Sequence, residues 1–252
     1  ALLEAARNPE LKPIPIKNEE QQALQSLHRI RTQWVGAKTA RINEARSLLL
    51  EFGVLIPQGA AQRTARLREG IESVPLVLQH ALHRLVDEID SLAQQVKGID
   101  AQLRTFAMAN ATCQRLMSVP GVGVITATAL VARVQDIKRF RSARSFASWL
   151  GITPREVSSG NTRHLGRISR RGDTYLRTLL THGARSALLA TRRRSRSGQP
   201  LSHTQQWANA LELRSNHNKT TMALANKMAR SIWAIWSREI SYNGNDALRF
   251  TA

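Results

Sequence analysis

Between Leu78 and Leu103 the apolar positions alternate spacings of four and three: Leu78, Leu82, Leu85, Ile89, Leu92, Val96, Ile99 and Leu103. That period lays a continuous apolar stripe along one side of a helix and is the heptad seam of a coiled coil. Pro75 starts this helix, and Gly98 within it costs roughly 1 kcal/mol relative to alanine. A second long helix precedes it over residues 19–52. There Leu24, Leu27, Arg31, Val35, Lys38, Ile42, Ala45, Leu49 and Phe52 follow the same spacings, and Gly53 and Pro57 end the run. Residues 54–75 read as a connector with a basic stretch, Arg63 to Arg68. Two long helices so joined predict an antiparallel hairpin over 19–110, packed either within one chain or between protomers.

After Cys113 the pattern changes to shorter apolar runs broken by Gly and Pro, which predicts a compact helical domain over 111–252. Within it, 112–134 reads as two helices around a tight turn, 154–172 as a loop, and 218–240 as a closing amphipathic helix. The closing helix buries Met222, Ala225, Met228, Ala229, Ile232, Trp233 and Trp236. The segment 191–204, rich in Arg, Ser and Gly, reads as a loop without fixed structure. Residues 1–18 read as a helix end followed by a strap carrying Pro9, Pro13 and Pro15, which excludes helix there. No stretch alternates strongly enough to predict a strand. The expected class is mainly α: a long coiled-coil helical hairpin, then a compact helical domain with a helix-hairpin-helix motif.

Charge changes the picture. Of 252 residues, 37 are Lys or Arg and 18 are Asp or Glu, a formal charge of +19, which argues for a polyanionic partner. Aromatic residues are only 5 %, too few for a base-stacking platform, so binding would rest on phosphate charge and fall steeply with salt. The single cysteine, Cys113, excludes an internal disulfide and a Cys-cluster zinc site. No apolar run approaches the roughly 20 residues that span a bilayer. The first residues lack a signal-peptide pattern and open as if within a helix, which predicts that the chain is the later part of a longer protein.

Two segments carry candidate chemistry. The first is Val119-Pro120-Gly121-Val122-Gly123, followed by a helical run. Glycines let a backbone approach a phosphate closely, and the amides of the following first turn point at it. Gly121, Val122 and Gly123 are therefore candidate phosphate contacts, joined by Lys138, Arg139 and Arg141; the alternative is an ordinary turn between helices. A base-excision glycosylase uses the same hairpin but supplies a catalytic Lys, and none stands between Gly123 and Asp136, itself a turn or cap residue. The second segment, PREVSSGNTRHLGRISRRGDTYLR, sets Ser158 and Ser159 before Arg163, Arg167, Arg170, Arg171 and Arg177. Guanidinium groups bind a phosphate bidentately and neutralise charge as it is attacked, so a serine here reads as a nucleophile. The competing reading is that these serines merely cap a turn or bind phosphate. No Ser/His/Asp triad assembles, because His164 and His182 have no orienting carboxylate. Arg192, Arg193 and Arg194 extend the basic surface.

The run RLMSVPGVGVITATALVARVQDIKRFRSARSFASWLGITPREVSSGNTRHLGRISRRGDTYLRTLL, continued by NKTTMALANKMARSIWAIW, resembles the C-terminal domain of the insertion-sequence 110/116/902 transposases. The head of the chain resembles the middle of the same proteins, and the 1111 subgroup is the most similar. The resemblance implies a DNA recombinase that cuts and rejoins strands through a serine, aligned with Ser159 and with Ser158 as the other choice. It implies a RuvC-like domain with four acidic ligands for Mg2+. This chain lacks that domain's motifs, so no cofactor is expected on the chain itself, and it is expected to be inactive alone. Asp87, Glu88 and Asp90 read as the solvated face of the heptad helix. Expected partners are DNA, a structured guide RNA as in some members, and further copies of the chain through the coiled coil. No membrane is expected, and the location implied is the bacterial cytoplasm, at the nucleoid. A non-enzymatic nucleic-acid-binding remnant is the alternative.

Overall fold

A computed structural model describes residues 16–57, 59 and 63–243, together with Glu4 and Arg7. The Pro-rich strap expected within 1–18 thus lies largely outside the described residues. Contacts divide the chain into two compact units, 25–103 and the remainder.

The first unit is built from α1 (Glu19–Glu51), α2 (Arg63–Ile71) and α3 (Leu76–Ala109), the outer two running past its limits. Ion pairs fix the direction of the long helices. Arg31 Nε donates to Asp100 Oδ1 at 2.6 Å and Arg41 Nε to Glu88 Oε2 at 2.9 Å, so higher positions on α1 meet lower ones on α3. That is the expected antiparallel hairpin. Ile42, Ala45 and Leu49 of α1 close on Leu82, Val86 and Ile89 of α3, so this part of the seam is filled within the chain. The segment expected as a plain connector contains a helix. In α2, Leu67 and Ile71, one turn apart, are fully buried in the same cluster, and Arg68 bridges Asp87 at 2.9 Å and Asp90 at 3.1 Å. The acidic face of α3 is solvent-exposed, and its carboxylates pair there with arginines.

The second unit gathers α4 (Ala111–Met117), α5 (Val124–Val134), α6 (Ala143–Trp149), α7 (Thr174–Arg196), α8 (His203–Leu213) and α9 (His217–Arg238). The closing helix α9 is its centre, packing against α4, α6, α7 and α8. Leu224, Ala225, Met228, Ala229, Ile232 and Ile235 are buried, while Met222, Trp233 and Trp236 pack at the margin. Trp233 Nε1 donates to Phe140 O at 3.2 Å, and Asn226 Nδ2 to Ile152 O at 3.3 Å. These bonds fix the stretch leading into the serine segment. The basic segment beyond Thr191 is not loop throughout: α7 runs on to Arg196, and α8 begins at His203 behind a Ser202–Gln205 capping box. The chain is mainly helical, as expected, with one departure: strands β1 (Pro154–Glu156) and β2 (Leu165–Ile168) pair antiparallel.

Candidate nucleic-acid interface and serine hairpin

The serine segment is a two-stranded ribbon. Beyond β1 and β2 the pairing continues to the tip. Val157 N–H donates to His164 O at 2.9 Å, and Ser159 and Thr162 exchange backbone bonds at 3.3 and 3.1 Å. Only Gly160 and Asn161 remain to turn the chain, and Gly160 takes φ +55. A two-residue loop with a left-handed first residue is a type II′ hairpin turn, whose twist matches that of the strands. The register shifts between Pro154↔Ile168 and Glu156↔Leu165, placing one extra residue on the β2 side. Residues from Pro154 to Arg167 are exposed.

Alternation along the ribbon separates the two serines. Ser158 shares a face with Glu156 and Arg163: its hydroxyl donates to Glu156 Oε1 at 2.9 Å and accepts from the His164 N–H at 3.2 Å. Arg163 Nε lies 3.3 Å from the same Glu156 oxygen. Ser158 is thus saturated as donor and occupied as acceptor. Ser159 belongs to the opposite face, with Arg155, Val157, Thr162 and His164, and its hydroxyl makes no hydrogen bond among the described residues. An unengaged hydroxyl on an exposed tip is accessible to an incoming phosphate.

The ribbon stands on a rigid base. Ser169 N–H donates to Thr153 O at 2.8 Å and Arg170 N–H to Gly151 O at 3.0 Å. Gly172 is pressed against the end of α6; a Cβ there would collide with Trp149 O and lie 2.6 Å from Gly151 N. Asp173 then caps α7, accepting from Leu176 N–H at 2.9 Å, and its second oxygen pairs with Arg133 of α5. Arg133 also lies over the Tyr175 ring, 4.8 Å from its centre.

The turn between α4 and α5 shows a packing role for one of its glycines. Gly121 has φ +90, and a Cβ on it would lie 2.5 Å from Gly183 O of α7 and 2.9 Å from Met228 Cε of α9. Val122 is buried. Of the three residues expected to face phosphate, Gly123 is the exposed one; it caps α5 with no side-chain bond, and nothing lies within 4 Å of its would-be Cβ. Asp136 caps the short turn Ile137–Arg139 by accepting from Lys138 N–H at 2.8 Å.

The arginines divide into free and committed groups. Lys138, Arg141, Arg167, Arg170, Arg171 and Arg193 are exposed; Arg194 is exposed too but donates to Pro200 O at 3.4 Å, and Arg139 lies over the Phe140 ring at 5.2 Å. Two expected contacts are instead engaged inside the fold. Arg177 donates to Leu150 O at 3.4 Å, Gly172 O at 3.3 Å and Thr174 Oγ1 at 3.1 Å. Arg192 Nε donates to Glu212 Oε2 at 2.7 Å, with His217 Nδ1 3.0 Å from its NH2 group. That pairing holds the Glu212 carboxyl below its ordinary range, and His217 acts in the same direction. Arginine type alone cannot distinguish these two groups, whereas the position of Arg177 one turn into α7, behind the Asp173 cap, gives a signal of its structural role. The ribbon itself had one legible signal, Gly160-Asn161 between Ser159 and Thr162.

Residues 113–198 match the transposase family of IS116, IS110 and IS902. A probable family 20 transposase of Pseudomonas aeruginosa is 40 % identical to this chain, the match covering 96 % of the chain and 71 % of that protein. The chain belongs to this transposase family. The transposase of insertion sequence element IS1111A from Coxiella burnetii is 36 % identical over 96 % of the chain and 66 % of its own length. That of IS1328 from Yersinia enterocolitica is 35 % identical over 93 % and 69 %. The family match begins at Cys113 and runs to Gly198, so it contains the α4–α5 turn and the whole ribbon. In this transposase chain no three His, Cys, Asp or Glu side chains stand together among the described residues, and no described helix is long and apolar enough to cross a membrane.

Proposed function

We propose that this transposase chain binds DNA through its exposed arginines and exchanges strands through Ser159. The observation that carries the assignment is the asymmetry of the two hydroxyls: that of Ser158 both donates and accepts a hydrogen bond, while that of Ser159 makes none among the described residues. In the proposed step Ser159 Oγ attacks a backbone phosphorus. The Oγ–P bond forms, the bond to one ribose oxygen breaks, and that oxygen leaves as a strand-end hydroxyl. The serine proton passes to solvent or to the leaving oxygen. Attack by the hydroxyl of another strand on the phosphoserine reverses these bonds and frees the enzyme, so the phosphodiester energy is conserved. Arg155 shares the Ser159 face, and Arg163, Arg167, Arg170 and Arg171 supply positive charge along the ribbon and its base.

The Mg2+ implied by the family does not fit the described residues of this chain. Glu156, the one carboxylate on the ribbon, is bound to Ser158 and Arg163, and Asp173 is bound to Arg133. A cation acting at Ser159 takes its ligands from other residues. The gripping of backbone by Gly123 and the first turn of α5 is part of the same proposal, as is a structured RNA on the same arginines, because guanidinium groups that contact phosphate carry no base information.

The test is covalent trapping. In the full gene product, Ser159→Ala abolishes the protein–DNA adduct and leaves the mobility shift intact, while Ser158→Ala retains adduct. Adduct persisting in Ser159→Ala refutes the assignment. The second reading, a binding module without chemistry, needs only the exposed arginines and the α4–α5 turn. It predicts a salt-sensitive mobility shift and no adduct from any serine. Running duplex DNA beside a structured RNA shows which polymer the arginines serve.

A further inference from the structure

The α4–α5 turn forms one wall of a cavity of about 290 Å3 whose other walls are α7, α8 and α9. This is the lower end of the range of small-molecule sites, roughly 300–1,000 Å3, so it admits one ring system with its sugar and nothing drug-sized. Its sides are apolar, with Ala187 of α7, Ala208 of α8 and Leu224 and Met228 of α9. Several polar residues also line it; Ser202 and Gln205 are engaged in the α8 cap and Thr204 with Tyr242, whereas Lys227 and Ser231 stand one turn apart on α9. Ser231 is only 8 % exposed, yet its hydroxyl has no hydrogen-bond partner among the described residues. The hydroxyl opens onto the cavity, where a ligand atom can meet it. Lys227 also lines the cavity, with Nζ 4.6 Å from the centre of the Trp207 ring and no carboxylate bridged to it among the described residues. Burial, and the neighbouring Arg230, push its ammonium below the ordinary value. An electronegative ligand edge would accept from both groups. Tyr242 lies at the cavity and ties its rims together: its N–H donates to Ser118 Oγ at 2.8 Å and its hydroxyl to Thr204 Oγ1 at 3.2 Å.

We propose that this cavity receives one unpaired nucleobase from the strand held at the α4–α5 turn, its flat faces against the alanine and methionine walls and its polar edge on Ser231 and Lys227. The inference rests on the reading that the turn contacts nucleic acid. Size and continuity with the turn point to a base, because Val119, Pro120 and Gly121 line the cavity from the same turn that presents Gly123 outward. No glycosidic bond is cut; the site holds a base out of its stack and so marks a bulge, mismatch or strand junction. Extruding a paired base costs a few kcal/mol and an already unpaired one less, so the site selects unpaired positions.

The experiment places 2-aminopurine at a single-nucleotide bulge in a DNA duplex and, separately, in an RNA stem, and titrates each with the full chain. The expected result is a several-fold rise in fluorescence and about tenfold tighter binding than to the fully paired control. A rise in one polymer alone identifies it as the source of the base. Ala190→Trp, on an exposed position of α7 at the cavity mouth, abolishes the rise and the preference without changing affinity for the paired duplex. Ser231→Ala, which removes only the open hydroxyl, weakens the preference several-fold. If the paired duplex binds but no fluorescence change appears, or if the change survives Ala190→Trp, this inference is overturned and the reading of the arginines stands. Absence of binding to any nucleic acid overturns both.

Discussion

Replacing Gly183 by alanine sets two opposed effects against each other. Gly183 lies within α7, where alanine is the better helix former by about 1 kcal/mol. Propensity alone therefore makes the substitution stabilising. Packing opposes it, because the new Cβ would collide with Gly121 O and lie 3.1 Å from the Gly121 carbonyl carbon. Both partners are backbone, and the turn is held on its far side by buried Val119 and Val122. Neither a rotamer change nor a flexible side chain can absorb the overlap. Overpacking costs typically 1–3 kcal/mol, and backbone against backbone belongs at the upper end. The net expectation is a loss of about 2 kcal/mol. Gly98 in α3 is the control: nothing lies within 4 Å of its would-be Cβ, so Gly98→Ala should gain about 1 kcal/mol. Urea unfolding measures both. In a Trp34→Phe background tryptophan fluorescence reports the second unit, which holds Trp149, Trp207, Trp233 and Trp236, while far-UV circular dichroism follows the helices of both units. If Gly183→Ala matches or exceeds the wild type while Gly98→Ala gains stability, the close approach of the turn to α7 is refuted.

Two further outcomes follow from buried chemistry. Glu212 has a folded pKa below its ordinary 4.5 because Arg192 and His217 favour its charged form. Its contribution is complete above 4.5 and is lost as pH falls through the lower folded value. Glu212→Gln should therefore cost about 1 kcal/mol near neutrality and nothing once the wild-type carboxyl is protonated, seen as converging urea midpoints on acidification. Cys113 is fully buried, and burial pushes its thiol up to about 12. It should resist a thiol reagent at pH 8 in the folded protein and react at once in urea; rapid reaction of the native chain would contradict its burial on the inner face of α4.

The long helices were legible because each buries one stripe. Leu82, Ile89, Val96, Ile99 and Leu103 repeat at a period that only a helix explains, and all are buried. Helix α2 was hidden because nine residues present only Leu67 and Ile71 to the core, and the surrounding arginines read as a linker. The ribbon was hidden for another reason. A strand announces itself by alternation only when one face is buried, and here neither is. The site was legible in its chemistry and not in its geometry. That two serines stand among arginines is visible in the chain, but which hydroxyl is open depends on the register, which places Glu156 and Arg163 with Ser158. Gly121 shows the limit most clearly: a glycine in a turn looks the same whether it makes room for a phosphate or for the backbone of Gly183.

The exposure of the ribbon has a consequence for how Ser159 is positioned. An isolated two-stranded hairpin is marginally stable in water, since neither face is covered. Here Val157 is 70 % and Leu165 48 % exposed, so apolar burial contributes little at the tip. The base differs, because the bonds from Ser169 to Thr153 and from Arg170 to Gly151 sit on the end of α6 beneath the close approach of Gly172. Order should therefore decay from base to tip in the free protein. Amide hydrogen exchange measures this directly: Ser169 and Arg170 should be protected, and Val157, Ser159 and Thr162 should exchange nearly as fast as an open chain. Bound nucleic acid, by pairing the arginines and covering one face, should slow the tip amides most. On the proposed role of Ser159, the order needed to aim its hydroxyl then arrives with the substrate. Tip amides as protected as those of the base in the free chain would show the ribbon to be preorganised and remove this coupling.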